Sequence, residues 1–218
     1  MTTNTTTTLS VPVGVTPADE LLSVDLRRDH AVLISGTAGS GKTVLLRRMR
    51  EALVPQLDAT RLFHAGGIRP NASEVILAAR AEMQHRLREP SRVADGPAVL
   101  LVDDYGVLCI HRDATDELVT AVREIAVKGR AADVHLVLAT QGTEGLRGAL
   151  LAQMSTRIVL GRLVSPISRI FSDRERERIT STGIAPTNRG DGVLVDIDGQ
   201  PIRFTAPPRE SRAFQNVN

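Results

Sequence analysis

The chain has 218 residues, of which 42% are hydrophobic and 24% are charged, and its formal net charge is +2. This size predicts one globular domain with a sizeable core and excludes two full domains. No apolar run approaches the ~20 residues that a membrane span needs, and a single cysteine cannot build a disulfide framework. We therefore expect a cytoplasmic protein with no signal peptide and no transmembrane segment of its own.

The beginning of the chain divides into a tail and a first group of strands. Residues 1–10, MTTNTTTTLS, are polar and of low complexity, and we expect a mobile tail there. One folded domain is predicted over residues 11–208, with a second tail at 209–218. Its first segment, 11–26, alternates apolar residues around two prolines and a glycine, which predicts one or two edge strands. A short apolar run at 31–34 predicts the next strand.

After that strand the sequence reads GTAGSGKT, from Gly36 to Thr43, and a helix-forming run continues to Arg50. A strand, a glycine-rich turn and a helix in this order are typical of a phosphate-binding loop, or P-loop, rather than of an ordinary glycine-rich loop. Gly36 and Gly41 permit close approach of the backbone, whose N–H groups face one anion at the positive end of the helix. Lys42 is predicted to reach the β- and γ-phosphates of ATP, and the Thr43 hydroxyl to ligate Mg²⁺. The residues predicted to bind the nucleotide are Gly36, Thr37, Ala38, Gly39, Ser40, Gly41, Lys42 and Thr43.

The rest of the chain alternates predicted strands and helices. Strands are predicted at 60–64, 98–102, 134–140 and 157–161. Helices are predicted at 72–89, at 173–178, and from a cap at Asp113 or Thr115 to about residue 131. A hairpin is predicted at 192–205 around Asp198 and Gly199. This alternation predicts an α/β fold with a mainly parallel sheet, right-handed crossovers and helices on its faces. Ligands of such sheets lie beyond the carboxyl ends of the strands.

Three polar residues follow predicted strands at that edge of the sheet. Asp103 comes after four apolar residues and is a candidate Walker B carboxylate, which would hold Mg²⁺ together with Thr43. Asp104 can orient or deprotonate the attacking water. Gln141 can hydrogen-bond that water or the γ-phosphate. The structural alternatives are an aspartate that caps a turn and a polar residue that merely ends a strand.

Several segments together resemble the FtsK/SpoIIIE family of hexameric pumping ATPases. In chain order they are HAVLISGTAGSGKT at 30–43, AEMQHR at 81–86, AVLLVDDYGVL at 98–108, KGRAADVHLVLATQ at 128–141, TRIVLGRLVSPISRIF at 156–171 and RGDGVLVDIDGQPIRFTAP at 189–207. The resemblance covers roughly residues 11–208. It implies that this region is an FtsK/SpoIIIE-like ATPase domain. It implies a RecA-like P-loop NTPase core with a C-terminal β-hairpin, Mg²⁺-dependent ATP hydrolysis, and a homo-oligomeric ring whose sites are shared between subunits.

The resemblance also implies an arginine that acts on the nucleotide of the neighbouring subunit. Arg130 and Arg169 match family positions and are the predicted catalytic arginines, with Arg157 as a third candidate. Each of them is equally compatible with a structural ion pair.

The chain departs from the family pattern after its predicted Walker B strand. The family usually has Asp-Glu there, whereas this chain has Asp103 and Asp104. The side chain of aspartate is one methylene shorter, so we expect slower hydrolysis than with glutamate. The order Asp-Asp-Tyr, which Tyr105 completes, resembles later ATPase modules of EccC-type motors of type VII secretion.

Three functions remain open from the sequence. The first is a translocase of double-stranded DNA in segregation or conjugative transfer, with modest support from predicted pore loops at 65–71 and 143–148, which carry only Arg69 and Arg147. The 25 arginines of the chain suit phosphate binding, but a GC-rich genome explains such a bias better. The second is an ATPase module of a protein-secretion motor with a secretion substrate or a membrane-anchored partner. The third is a degenerate ATP-binding regulatory subunit, supported by Asp104. DNA is placed first because most stand-alone members of the family are DNA pumps.

Overall fold

A nine-stranded sheet forms the centre of the structure, a computed structural model that describes residues 8–66, 71–110, 116–146, 148–163, 167–181 and 190–206. The strands in these ranges are β1 Ser10–Val15, β2 Leu21–Asp25, β3 Ala31–Gly36, β4 Leu62–Gly66, β5 Ala98–Asp103, β6 Val134–Thr140, β7 Thr156–Leu160, β8 Asp191–Val195 and β9 Pro201–Thr205. The α-helices are α1 Leu26–Asp29, α2 Lys42–Leu53, α3 Ala72–Arg88, α4 Tyr105–Ile110, α5 Asp116–Lys128, α6 Ala149–Gln153 and α7 Asp173–Ser181. Short 3-10 helices lie at Ala59–Arg61, Pro90–Asp95, Gly129–Ala132 and Ile167–Ile170.

The strand order is β2-β1-β9-β8-β7-β3-β6-β5-β4. The strands β7, β3, β6, β5 and β4 run parallel, whereas β1, β2, β8 and β9 add antiparallel pairs. Ala31 of β3 pairs with Leu136 of β6, and Val32 pairs with Thr156 of β7. The predicted fold class, a mainly parallel α/β sheet of the P-loop NTPase type with a C-terminal hairpin, is confirmed.

The sheet buries both of its faces, and successive residues of β3 point to opposite cores. Ala31 and Leu33 join the core beneath α3 and α5. Val32 and Ile34 join the core beneath α2, which also contains side chains of β1 and β9. Burial on both faces explains why the central strands are continuous apolar runs instead of alternating ones.

Most predicted elements are found within a few residues of their expected bounds. The helix expected to reach about residue 131 ends earlier, at Lys128, because Gly129 leaves the helix and packs where a Cβ would lie 2.3 Å from the carbonyl oxygen of Val134. The expected caps Asp113 and Thr115 lie outside the described residues. The short helices α4 and α6 had no signal in the sequence.

The structure moves the boundary of the predicted N-terminal tail. Leu9 is buried, its N–H donates to Asp25 Oδ1 at 3.1 Å, and its carbonyl accepts from the N–H of Leu26 at 2.9 Å. Ser10 already belongs to β1, because it pairs with Asp25 of β2. Residues 1–7 and the predicted tail 209–218 lie outside the described residues, and the extent of the domain to residue 208 stays a prediction.

The described helices do not resemble membrane spans. None of the helices within those ranges combines the length and the apolar character that a crossing requires.

Phe204 of β9 anchors the antiparallel part of the sheet. Its side chain is 1% exposed and lies against Gly14 and Gly192, where an added Cβ would come within 2.5 and 2.7 Å of the ring. We expect Phe204→Ala to lower the free energy of unfolding by about 3–5 kcal/mol, because the ring leaves a cavity between strands. Ile197→Ala, at a 45% exposed site of the same hairpin, should change it by less than about 0.5 kcal/mol. Urea denaturation of both variants measures the difference, and equal losses would contradict this anchoring role.

Candidate active site

The P-loop connects β3 to α2 and uses its glycines for two different reasons. A Cβ on Gly36 would lie 2.4 Å from the Leu160 carbonyl oxygen and 2.5 Å from Ser40 Oγ, so the loop passes too close to β7 for any side chain. Gly39 and Gly41 have free space around them but adopt φ angles of +73° and +112°. Glycine is the residue that adopts such angles without steric cost. The loop therefore needs glycine for two reasons: close backbone contact at Gly36 and positive φ angles at Gly39 and Gly41.

Lys42 begins α2 and is buried against the loop. Its Nζ donates to the carbonyl oxygens of Gly36 and Thr37, each at 2.9 Å. Burial lowers the pKa of Lys42, and the carboxylates of Asp104 and Asp103 oppose that change. The ammonium group is thus placed at the phosphate-binding loop and beside two acidic side chains.

Thr43 and Asp103, the predicted metal ligands, are brought together by the fold. The Thr43 hydroxyl hydrogen-bonds to the Asp103 carboxylate, and the backbone N–H of Asp104 donates to Asp103 Oδ1 at 3.1 Å. Burial raises the pKa of Asp103, the hydrogen bond from Thr43 lowers it, and the negative charge of Asp104 raises it further. The result is a nearly buried carboxylate whose pKa lies above its ordinary value.

The oxygen atoms of Thr43 and Asp103 fit a magnesium ion. Mg²⁺ prefers hard oxygen ligands and is usually bound through one or two protein oxygens, with waters and substrate phosphates completing its coordination. Within the described parts of the chain, three or more metal-binding side chains do not cluster anywhere. The oxygens of Thr43 and Asp103 therefore suit a cation that binds together with a nucleotide better than a cation bound by protein ligands alone.

Asp104 and Gln141 meet beside this pair. Gln141 Nε2 donates to Asp104 Oδ1 at 2.9 Å, although 37 residues separate the two in the sequence. Asp104 has a φ of +51°, in the left-handed region. Aspartate and asparagine tolerate this region better than longer side chains do. The backbone conformation therefore gives a physical reason for aspartate where the family pattern has glutamate.

The predicted arginines lie at the opposite edge of the sheet. Arg130 is exposed in the turn that precedes β6 and donates to the carbonyl of Arg28 at 3.0 Å. Arg169 is also exposed, next to Ile170, whose carbonyl accepts from Arg157 near the start of β7. Strands of this length place the two edges roughly 20 Å apart. The structure does not bring Arg130 or Arg169 to the P-loop of the same chain.

Arg157 has structural partners inside the subunit. Its guanidinium donates to the carbonyl of Met154 at 2.8 Å, to that of Ile170 at 2.9 Å and to Glu175 at 3.3 Å, and it lies 5.9 Å from the centre of the Phe171 ring. These contacts favour the structural interpretation of this third candidate.

Sequence reasoning missed one part of the site, the contact between α4 and the loop that follows Gln141. Tyr105 and Cys109 of α4 pack against Gly145 of that loop. The available signal was that the only tyrosine of the chain comes directly after the acidic pair.

The sequence profile of the ATPase family associated with various cellular activities (AAA) matches residues 32–162, more than half of the chain. The chain belongs to the AAA family of ATPases. No sequence among curated proteins matches this AAA chain.

Solved structures share the fold of this AAA domain at low sequence identity. The cytoplasmic domain of the Thermomonospora curvata type VII secretion ATPase EccC has a TM-score of 0.70 and 16% identity, over 94% of this chain and 27% of that one. The pCW3 conjugation coupling protein TcpA, in monomer form with ATPγS, has a TM-score of 0.70 and 18% identity, over 92% and 66%. EssC ATPases 2 and 3 from Geobacillus thermodenitrificans have a TM-score of 0.67 and 19% identity, over 94% and 42%.

These neighbours are FtsK/SpoIIIE-type P-loop ATPases, so the resemblance seen in the sequence segments is confirmed at the level of the fold. The AAA chain spans about a quarter of the EccC structure, less than half of the EssC structure and about two thirds of the TcpA structure.

The raised pKa of Asp103 gives the AAA site a testable pH dependence. Only the ionised carboxylate binds a cation, so we expect the Mg²⁺-dependent part of ATPγS affinity to fall as the pH is lowered from neutral. The fall should begin at a higher pH than an ordinary aspartate, with its pKa of 3.8, would give. Calorimetry with and without Mg²⁺ at each pH isolates this part, and Asp103→Asn, which cannot titrate, is the control. An increment that stays constant down to the ordinary pKa of aspartate would contradict the prediction.

Proposed function

We propose that this AAA domain binds and hydrolyses ATP with Mg²⁺ as a motor module of the FtsK/SpoIIIE type, acts in a homo-oligomeric ring, and moves double-stranded DNA. The observation that carries the proposal is the convergence of two side-chain pairs at one edge of the sheet. Thr43 hydrogen-bonds to Asp103, Gln141 hydrogen-bonds to Asp104, and Lys42 lies beside both acids.

Each of these residues has a chemical task in hydrolysis. The loop N–H groups and Lys42 would bind the phosphates, and Thr43 and Asp103 would hold Mg²⁺, which when bound neutralises charge on the β- and γ-phosphates. Gln141 occupies Oδ1 of Asp104, which leaves Oδ2 of that carboxylate as an acceptor for the attacking water. Asp104 would therefore orient the water and accept its proton, and Gln141 would keep the carboxylate in one orientation.

DNA is the proposed cargo because of the likeness to TcpA, a conjugation coupling protein, and because the chain contains 25 arginines but only two lysines. The guanidinium group binds phosphate in a bidentate manner, so an arginine-rich ring suits a phosphate backbone. The predicted pore-loop residues Arg69 and Arg147 lie outside the described residues.

Protein secretion is the second candidate function. It is favoured by the likeness to EccC, a type VII secretion ATPase, and by the order of Asp103, Asp104 and Tyr105. The two functions share the same ATPase site and differ in what the ring moves. The cargo is therefore tested through its effect on turnover.

ATP turnover with and without double-stranded DNA tests the proposal. We expect wild-type protein to hydrolyse ATP, DNA to stimulate turnover several-fold at about 50 mM salt, and the stimulation to disappear at about 200 mM salt, because phosphate contacts are lost as salt rises. Lys42→Ala should reduce turnover by at least about 100-fold, because the phosphates lose a charged partner.

Two other results would change the conclusion. Stimulation by a secretion-signal peptide and none by DNA would select the secretion motor. Tight ATP binding without turnover, unchanged in Lys42→Ala, would support the regulatory-subunit hypothesis.

Arg130 is one of the two predicted arginines with a place at the edge opposite the P-loop. It is exposed and has one described hydrogen bond, to the backbone of Arg28. In a ring whose subunits face one another with opposite sheet edges, this arginine would meet the P-loop edge of its neighbour. An arginine that acts in trans is worth about 10³-fold or more in turnover.

Mixing two inactive variants tests this arrangement. We expect Arg130→Ala and Lys42→Ala to be nearly inactive alone but to regain a fraction of wild-type turnover when mixed, because some interfaces then combine an intact P-loop with an intact arginine. Arg169→Ala in place of Arg130→Ala is the matched comparison. If Arg130→Ala alone hydrolyses ATP at the wild-type rate, Arg130 has no catalytic role.

A further inference from the structure

The hydrogen bond between Asp104 and Gln141 needs support from the surrounding structure. Gln141 is exposed and Asp104 is half-buried, so water competes for both groups. A hydrogen bond in such surroundings contributes only about 0.5–1.5 kcal/mol. The backbone segments that carry the two side chains must therefore fix their separation.

These two segments begin directly after the two residues. Asp104 precedes α4, and its carbonyl accepts from the N–H groups of Val107 and Leu108 at 2.9 and 3.3 Å. Gln141 opens the loop 141–146, which follows β6. Any change in the distance between α4 and this loop changes the distance between Asp104 and Gln141.

α4 touches the chain on both sides of Gln141. Before it, Gly106 lies so close to Thr140 that an added Cβ would come within 3.1 Å of Thr140 Oγ1. After it, a Cβ on Gly145 would come within 2.7 Å of the Tyr105 ring and 2.4 Å of Cys109 Sγ. The two contacts lie on either side of Gln141 in the sequence, and at both glycines an added Cβ would be too close to the facing side chain.

Tyr105 provides the larger of these contacts. Its side chain is fully buried, and its hydroxyl lies beside the Cys109 thiol without a well-oriented hydrogen bond among the described residues. A buried hydroxyl without such a bond gives little stability. The aromatic ring therefore contributes through its packing, which includes the contact with Gly145.

We infer that Tyr105 is a positioning residue for ATP hydrolysis, because its ring sets the loop 141–146 at the distance at which Gln141 reaches Asp104. Gly145 and Gly106 contribute to the same placement, because the absence of a side chain at each lets α4 and the chain around Gln141 approach closely. The inference rests on the proposed function for its effect on turnover, whereas the placement of the loop is a separate structural claim.

Tyr105→Leu tests the inference because it keeps an apolar side chain but removes the ring. We expect kcat to fall by about tenfold or more, since small displacements of catalytic groups have effects of this size. The affinity for ATPγS with Mg²⁺ should change by less than about twofold, because the P-loop is untouched. Hydrogen exchange of residues 141–146 should become faster. Tyr105→Phe retains the ring and should rescue at least about half of the lost kcat.

A double variant separates positioning from general destabilisation. If Tyr105 acts through Gln141, Tyr105→Leu should have no further effect on kcat in the Gln141→Ala background. Val107→Ala, at a 38% exposed site of the same helix, is the control for changes in α4 itself and should leave kcat at the wild-type value.

Gly106→Ala approaches the same contact from the other side and is the variant to use if Tyr105→Leu fails to fold. Alanine favours a helix, so the protein should keep its stability, while the added methyl group presses on Thr140 and lowers kcat without changing ATPγS affinity.

The inference is overturned by wild-type kcat in Tyr105→Leu or, where that variant does not fold, in Gly106→Ala. It is also overturned by equal losses in the Leu and Phe variants, or by additive effects with Gln141→Ala. If the wild-type protein hydrolyses no ATP, the proposed function fails, and exchange of residues 141–146 alone then decides the structural claim. Unchanged exchange in Tyr105→Leu would reject it.

Discussion

The site depends on the parallel alignment of three strands, which also brings the Thr43 hydroxyl to the Asp103 carboxylate. Thr43 lies at the start of α2, which β3 leads into, whereas Asp103 ends β5. The strand between them in the sheet is β6, and the parallel pairing of all three aligns their carboxyl ends. The P-loop, the acidic pair and Gln141 therefore lie at one edge of the sheet, because each directly follows or ends one of these strands.

This arrangement also explains the charge pattern of the site. Lys42 and Asp103 are both largely buried, and burial acts against the charged form of each. Their proximity offsets part of that cost, because an opposite charge nearby favours ionisation. A nucleotide would bring negative phosphates to Lys42, and its cation would bring positive charge to Asp103, so the site suits binding of the pair better than binding of either one.

The opposite edge of the sheet is organised around buried histidines. His30 Nε2 donates to the carbonyl of Ala126 at 3.1 Å, its Nδ1 lies 3.5 Å from Nδ1 of His135, and His135 contacts Asp133 at 2.9 Å. Burial and the neighbouring His135 lower the pKa of His30 to about 4. These contacts flank the turn that carries the exposed Arg130. The two edges therefore differ in composition: one carries the P-loop and the acidic pair, and the other carries the buried histidines and the exposed Arg130.

The sequence by itself determined the P-loop, the order of the main strands and helices, and the place of Asp103 at the end of a strand. These features follow from local patterns, since glycine spacing and apolar runs encode them directly and parallel strands bring their carboxyl ends together. Only the tertiary structure decided the left-handed conformation of Asp104, its bond to Gln141, the contact of Tyr105 with its loop, and the internal role of Arg157. Each of these features depends on contacts between residues that are far apart in the sequence. A local sequence pattern does not determine such contacts.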